Sequence, residues 1–139
     1  MIRKYRPQDL DPILEIEAEA FPKTAYNREI FITWAQGLEE FFLVHFDEPS
    51  GKVVGYIMFW PDGHIASVAV APDFRRKGIG IRLVERALGM CGDVARIEVR
   101  VSNRGALEFY KKLGFAQVGQ VPDYYPQEDA VIMVRIDRD

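Results

Sequence analysis

The spacing of apolar residues changes period several times along this 139-residue chain. "MIRKYRP" alternates weakly and predicts a short strand ended by Pro7. Leu10, Ile13, Leu14, Ala18 and Phe21 then follow helical spacing, with Pro12 tolerated in the first turn. "FPKTAYN" breaks that helix, and Asn27 caps the next one, "REIFITWAQG". Three strand-like runs follow: "EFFLVHFD", "VVGYIMFW" and "HIASVAV". The turns "EPSGK" and "PDG" separate them, which predicts an antiparallel meander.

After "APDFRRKGIG" the period becomes helical again. Gly80, Leu83, Val84, Ala87, Leu88 and Cys91 share one face, with Arg82, Glu85 and Arg86 turned away. "ARIEVRV" alternates strictly: Ile97, Val99 and Val101 point one way, Arg96, Glu98 and Arg100 the other. Ala106, Phe109, Tyr110 and Leu113 line the face of a last helix, which Gly114 ends as a left-handed cap. "FAQVGQV" and "AVIMVRI" are closing strands around the loop "PDYYPQED". The order β-α-α-β-β-β-α-β-α-β-β predicts one α/β (α+β) domain over residues 1–139. Its mixed, mostly antiparallel central sheet would have about seven strands, with about four helices on both faces.

Composition narrows the classes. At 48% hydrophobic residues the chain can bury one core. A net charge of −3 argues against a broad nucleic-acid footprint. The single cysteine, Cys91, allows no internal disulfide and no cysteine metal cluster, and the scattered His45 and His64 suggest no metal site. No apolar run approaches the roughly 20 residues that span a bilayer, and the polar N-terminus lacks a signal-peptide apolar region. The expectation is a soluble, cytoplasmic protein that binds neither membrane nor nucleic acid.

One stretch stands out against this background: "SVAVAPDFRRKGIGIRLVERAL", Ser67 to Leu88. An apolar strand leads into three basic residues, two glycines and at once a helix. A helix start leaves backbone N–H groups unpaired and partly positive, so an anion is favoured there. Gly78 and Gly80 lack a Cβ and let an oxyanion approach the backbone, and Arg75, Arg76 and Lys77 add charge. The other reading is a plain strand-to-helix turn with solvated basic residues. The loop has neither the Gly-Lys-Ser/Thr of a nucleoside-triphosphate loop nor the third glycine of a dinucleotide fingerprint.

"RRKGIG" resembles the Arg/Gln-x-x-Gly-x-Gly/Ala signature of the GCN5-related N-acetyltransferases (the GNAT superfamily). "IEVRVSNRGALEFYKKLGF" resembles that superfamily's second cofactor segment, and "DYYPQEDAVIMV" the closing hairpin of the RimI-type branch, which acetylates protein N-terminal α-amines. The resemblance covers Gly55 to Val134 well and the first fifty residues loosely. It implies acetyl-CoA as cofactor. Arg75, Arg76, Lys77, Gly78, Ile79, Gly80 and Ile81 would hold its pyrophosphate, the backbone of Val68, Ala69 and Val70 its pantetheine arm, with Asn103 and Tyr110 also in contact. It implies Glu98 as general base and Tyr110 as general acid. From residue pattern alone, Glu98 reads more readily as a solvated carboxylate between two arginines, and Tyr110 equally as a core tyrosine.

The implied acceptor is a protein or peptide N-terminus, a ribosomal protein among the candidates, and the implied assembly a monomer or weak homodimer. Tyr124 and Tyr125 would clamp the acceptor on one side, and Phe21, Lys23 and Tyr26 would form the other wall. Lys23 departs from the RimI-type pattern, because a cation there repels an incoming ammonium or selects an acidic first residue. The competing readings are acetylation of a small-molecule amine or a lysine side chain, a non-catalytic acyl-CoA sensor, and a simple phosphate-binding module. Cys91 lies on the apolar helix face, which disfavours a covalent acyl carrier and favours direct transfer.

Overall fold

The computed structural model describes residues 1–136. Its elements are β1 (Ile2–Lys4), α1 (Leu10–Ala20), α2 (Arg28–Gly37), β2 (Phe42–Asp47), β3 (Lys52–Phe59), β4 (Ile65–Val70), α3 (Ile79–Cys91), β5 (Val94–Arg100), α4 (Arg104–Lys112), β6 (Ala116–Tyr125) and β7 (Glu128–Ile136). The predicted element order holds. No helix among the described residues is long and apolar enough to cross a membrane.

The seven expected strands are present among the described residues. They form two antiparallel sheets, ordered β1-β2-β3-β4 and β5-β7-β6. Outside these ladders, β4 and β5 meet at one parallel bridge between His64 and Arg96. Around it Arg96 N–H donates to the Gly63 carbonyl at 3.0 Å, and the Arg96 guanidinium reaches Asp62 at 3.3 Å. Gly63 has φ of +92°, and a Cβ there would stand 2.0 Å from the Val94 carbonyl oxygen. This crossing fastens the sheets at the start of both strands. Beyond it they diverge, and the ladder partners that β4 would need on that side are missing.

Apolar side chains of β3 and β4 alternate between two cores. Val54, Ile57, Phe59 and Val68 pack with α3, α4 and the second sheet; Val53, Tyr56, Met58 and Ala69 pack with α1 and α2. That explains the unbroken apolar run of "VVGYIMFW", since a strand covered on both faces needs no polar side. The buried face of α1 differs from the periodic one. Ile16 and Glu17 are buried and Ala18 is exposed, because the helix turns a carboxylate toward the core where spacing favoured alanine.

The closing hairpin is also longer than predicted. β6 runs to Tyr125 and β7 begins at Glu128, so most of the expected loop 122–129 is strand, with a turn at Pro126 and Gln127. Residues at positive φ, Asp123 and Gln127, together with a register shift between Val121 and Tyr125, let the chain bend without leaving the ladder. Gly114 ends α4 at φ +91°, as expected.

Two glycines provide opposite controls in urea unfolding. Gly63→Ala should cost more than about 3 kcal/mol, because the strained backbone and the Val94 carbonyl both reject a Cβ. Gly89→Ala, inside α3 with open space around it, should stabilise by about 0.5–1 kcal/mol.

Candidate active site

A cleft of about 720 Å³ lies between the end of β4, the start of α3 and α4. Val68, Ala69, Val70, Arg75, Arg76, Gly78, Ile79, Gly80, Ile81, Asn103 and Tyr110 all line it. Of the residues expected to hold a cofactor, Lys77 alone does not; its ammonium lies 5.1 Å from the Phe74 ring centroid.

The start of α3 is built to leave its N–H groups open. Asn27 caps α2 by accepting from Ile30 N–H at 3.1 Å, and Asn103 caps α4 by accepting from Ala106 N–H at 3.0 Å. The corresponding cap of α3 is Gly78, at φ +79°, which has no side chain to offer. The first intrahelical donor is Arg82 N–H, 3.1 Å from the Gly78 carbonyl. The N–H groups before it face the cleft end of the helix and complement an anion. Gly80 lines the cleft and has a packing role as well. It is buried, and a Cβ there would meet Leu113, just past the end of α4, at 3.3 Å and Phe109 of α4 at 3.4 Å, so it lets the two helices close. Gly55 of β3, unremarked in the sequence, does the same under Ile79 and Leu83.

Arg75 is already engaged. Its Nε donates to the Val70 carbonyl at 2.9 Å and its Nη2 to Glu19 at 2.6 Å, tying the loop to β4 and α1. Arg76 adopts φ +64° and lines the cleft with few such ties.

Tyr110 is 2% exposed, yet its ring lines the cleft. Burial, then the charge of Glu17, pushes its phenol far above the usual range, so it stays protonated. Glu98 is not a solvated carboxylate: its side chain is 14% exposed and held at both oxygens. Oε2 lies 2.7 Å from His64 Nε2, and Oε1 accepts from the Tyr124 hydroxyl at 3.1 Å. Tyr125 donates to the Glu98 carbonyl at 3.3 Å and carries the Arg100 guanidinium on its ring at 4.2 Å. Burial pushes the Tyr125 phenol up to about 12, which keeps it a donor.

Phe21 lines the cleft, Lys23 is exposed, and Tyr26 and Tyr124 are close enough to Glu98 for its charge to raise their phenols further, after burial. His64 is the residue sequence reading missed. It stacks on Trp60 at 4.6 Å, and Trp60 packs edge-on against Trp34 at the same separation. Its signal existed only as a lone histidine opening a strand; that this strand lies beside Glu98 follows from topology. Cys91 is half-buried, donates to the Trp60 carbonyl at 3.6 Å, and has its thiol pushed up by burial, so it is a poor nucleophile.

Residues 10–115 match the model of the Acetyltransferase (GNAT) family. The chain belongs to that family. It is similar to an N-alpha-acetyltransferase of Sulfurisphaera tokodaii, 36% identical over 95% of this chain and 90% of the relative. It is also similar to a putative ribosomal protein bS18-alanine N-acetyltransferase of Bacillus subtilis, 33% identical over 95% of this chain and 92% of the relative. Among solved structures, Ard1 of Thermoplasma volcanium superposes with a TM-score of 0.81 at 30% identity, covering 100% of this chain and 98% of that one. This chain is accordingly an acyltransferase that uses acetyl-CoA. The site fits that cofactor: an uncapped helix start suits the diphosphate, and an edge strand along the cleft offers backbone groups to an amide-bearing arm.

Acetyl-CoA should therefore raise the melting temperature well beyond the shift given by equimolar pyrophosphate, because only the former also engages β4 and α4. Differential scanning fluorimetry checks this; equal shifts would mark a simple anion site.

Proposed function

We propose that the protein moves an acetyl group from acetyl-CoA to the N-terminal α-amine of a protein or peptide, by direct transfer in a ternary complex. The observation that carries this reading is Glu98, a carboxylate held by His64 and Tyr124 and close enough to Tyr26 and Tyr124 for its charge to act on their phenols. The names of the archaeal and bacterial relatives support the α-amine as acceptor.

When bound, acetyl-CoA supplies a thioester-activated acyl group and a thiol leaving group. The N–H groups opening α3, with Arg76, hold the diphosphate, and the free edge of β4 at Val68, Ala69 and Val70 aligns the arm. Asn103 and Tyr110 complete that wall. Placing both reactants in one cleft removes several kcal/mol of entropic barrier.

The acceptor arrives as an ammonium. An α-ammonium titrates at about 8 and a lysine ammonium at about 10.4, so the α-amine surrenders its proton far more readily at neutral pH. Glu98 takes that proton, directly or through one water, while His64 and Tyr124 fix the carboxylate's orientation. With acetyl-CoA bound, forming the N–C bond and breaking the C–S bond would release the second nitrogen proton to solvent, while the Tyr110 phenol would donate its own proton to the departing sulfur and regain one from solvent. Tyr124 and Tyr125 hold the acceptor backbone. Phe21, Lys23 and Tyr26 form the facing wall, where exposed Lys23 favours an acidic first residue.

Incubation with acetyl-CoA and a peptide library, read by mass spectrometry, tests this directly. Acetate should appear on α-amines; acetate confined to lysine side chains or polyamines would overturn the reading. Glu98→Gln and Tyr110→Phe should each lower kcat by about 100-fold while acetyl-CoA affinity changes less than about twofold. Lys23→Glu should reduce the preference for acidic over basic first residues by up to about fivefold, the scale of an exposed ion pair.

A further inference from the structure

A buried carboxylate lies beneath the site without taking part in the chemistry above. Glu17, 2% exposed, faces the core from α1. Asp9, equally buried, is matched by the Arg3 guanidinium at 2.8 Å. The partners of Glu17 among the described residues are all neutral. Oε1 accepts from the Tyr56 hydroxyl of β3 and, at 2.7 Å, from the Ser67 hydroxyl of β4. Oε2 accepts from the main-chain N–H of Tyr26 at 3.0 Å. A buried carboxylate without a cation is a costly way to fill a core position that an apolar side chain of similar volume would fill at less cost. Packing therefore does not account for it.

The two oxygens face different parts of the molecule. Oε1 is committed to the first sheet, one residue before Val68 at the cleft. Oε2 is committed to the segment between α1 and α2, which carries Phe21, Lys23 and Tyr26. The other ties of that segment are mostly local: Phe21 N–H to the Glu17 carbonyl at 2.9 Å and Thr24 N–H to the Phe21 carbonyl at 3.2 Å. The Tyr26 hydroxyl adds a longer contact to the Ala66 carbonyl, at 3.4 Å. The Glu17–Tyr26 bond is thus the short, charge-assisted link between this segment and the sheet.

We infer that Glu17 is a positioning residue: its carboxylate pins the Tyr26 main chain against β4 and so sets the separation between the acceptor wall and the acyl-donor cleft. The inference rests on the acceptor role given to this segment above. The effect of the Glu17 charge on the Tyr110 phenol agrees with a carboxylate lying close under the reacting groups.

The test compares Glu17→Gln, which keeps the volume but loses the charge, with Ser67→Ala, which strips a partner from Oε1 and leaves Oε2 on Tyr26. Both lower the melting temperature. Glu17→Gln should speed hydrogen exchange in residues 21–27 and raise the acceptor KM about tenfold, with acetyl-CoA affinity within about twofold. Ser67→Ala should leave the acceptor KM within about twofold of wild type despite its lost stability. Acceptor KM rising in both variants in step with lost stability, or unchanged exchange at 21–27 in Glu17→Gln, would overturn the inference. If the wild type acetylates no peptide α-amine, the proposed function fails by itself, and exchange at 21–27 decides whether Glu17 anchors the segment.

Discussion

The single parallel contact between β4 and β5, after which the strands part, is the constraint on which the frame of the site depends. The crossing at His64 and Arg96, tightened by Gly63 beneath Val94, joins two sheets that otherwise share no ladder. Past it, β4 is an edge strand inside the molecule. Its free backbone would be a liability on an outer surface. Here it lines a cleft and can pair with an amide-bearing ligand. The same crossing sets His64 against Glu98, so the junction also orients the carboxylate.

Helix α3 depends on that geometry. Its axis is fixed by close packing at two glycines, Gly55 on the sheet side and Gly80 against α4, and its first turn is left without a side-chain cap at Gly78. Tight packing aims the helix, and the missing cap leaves its donors available. A rigid element with unsatisfied N–H groups binds an anion without reorganising at the moment of binding, the condition under which fixed dipoles are most effective.

Charge is distributed with similar economy. Tyr26, Tyr124 and Tyr125 gather around Glu98, with phenols raised by burial so that they remain donors. The protonated Tyr110 lines the cleft. Glu17 lies below and holds neutral donors from three neighbouring segments. Cys91, the one thiol, is committed to the Trp60 carbonyl at the far end of α3 from the uncapped turn.

The chain's local patterns determined a good deal. The order of helices and strands, the Asn27 and Asn103 caps, the Gly114 stop and the glycine loop were legible because each depends on neighbouring residues within a turn or two. The "RRKGIG" and "IEVRVSN" segments pointed to the family for the same reason: their function resides in contiguous backbone. What local pattern could not decide was contact between distant segments. Where the seven strands divide into two ladders was not legible, since it turns on one close crossing of Gly63 and Val94. His64 meets Glu98 across 34 residues, and Glu17 meets Ser67 across 50. A carboxylate that faces the core reads as a surface residue in any periodicity argument, because hydrophobic spacing records which side chains avoid water and is blind to a polar group whose partners arrive from elsewhere in the chain.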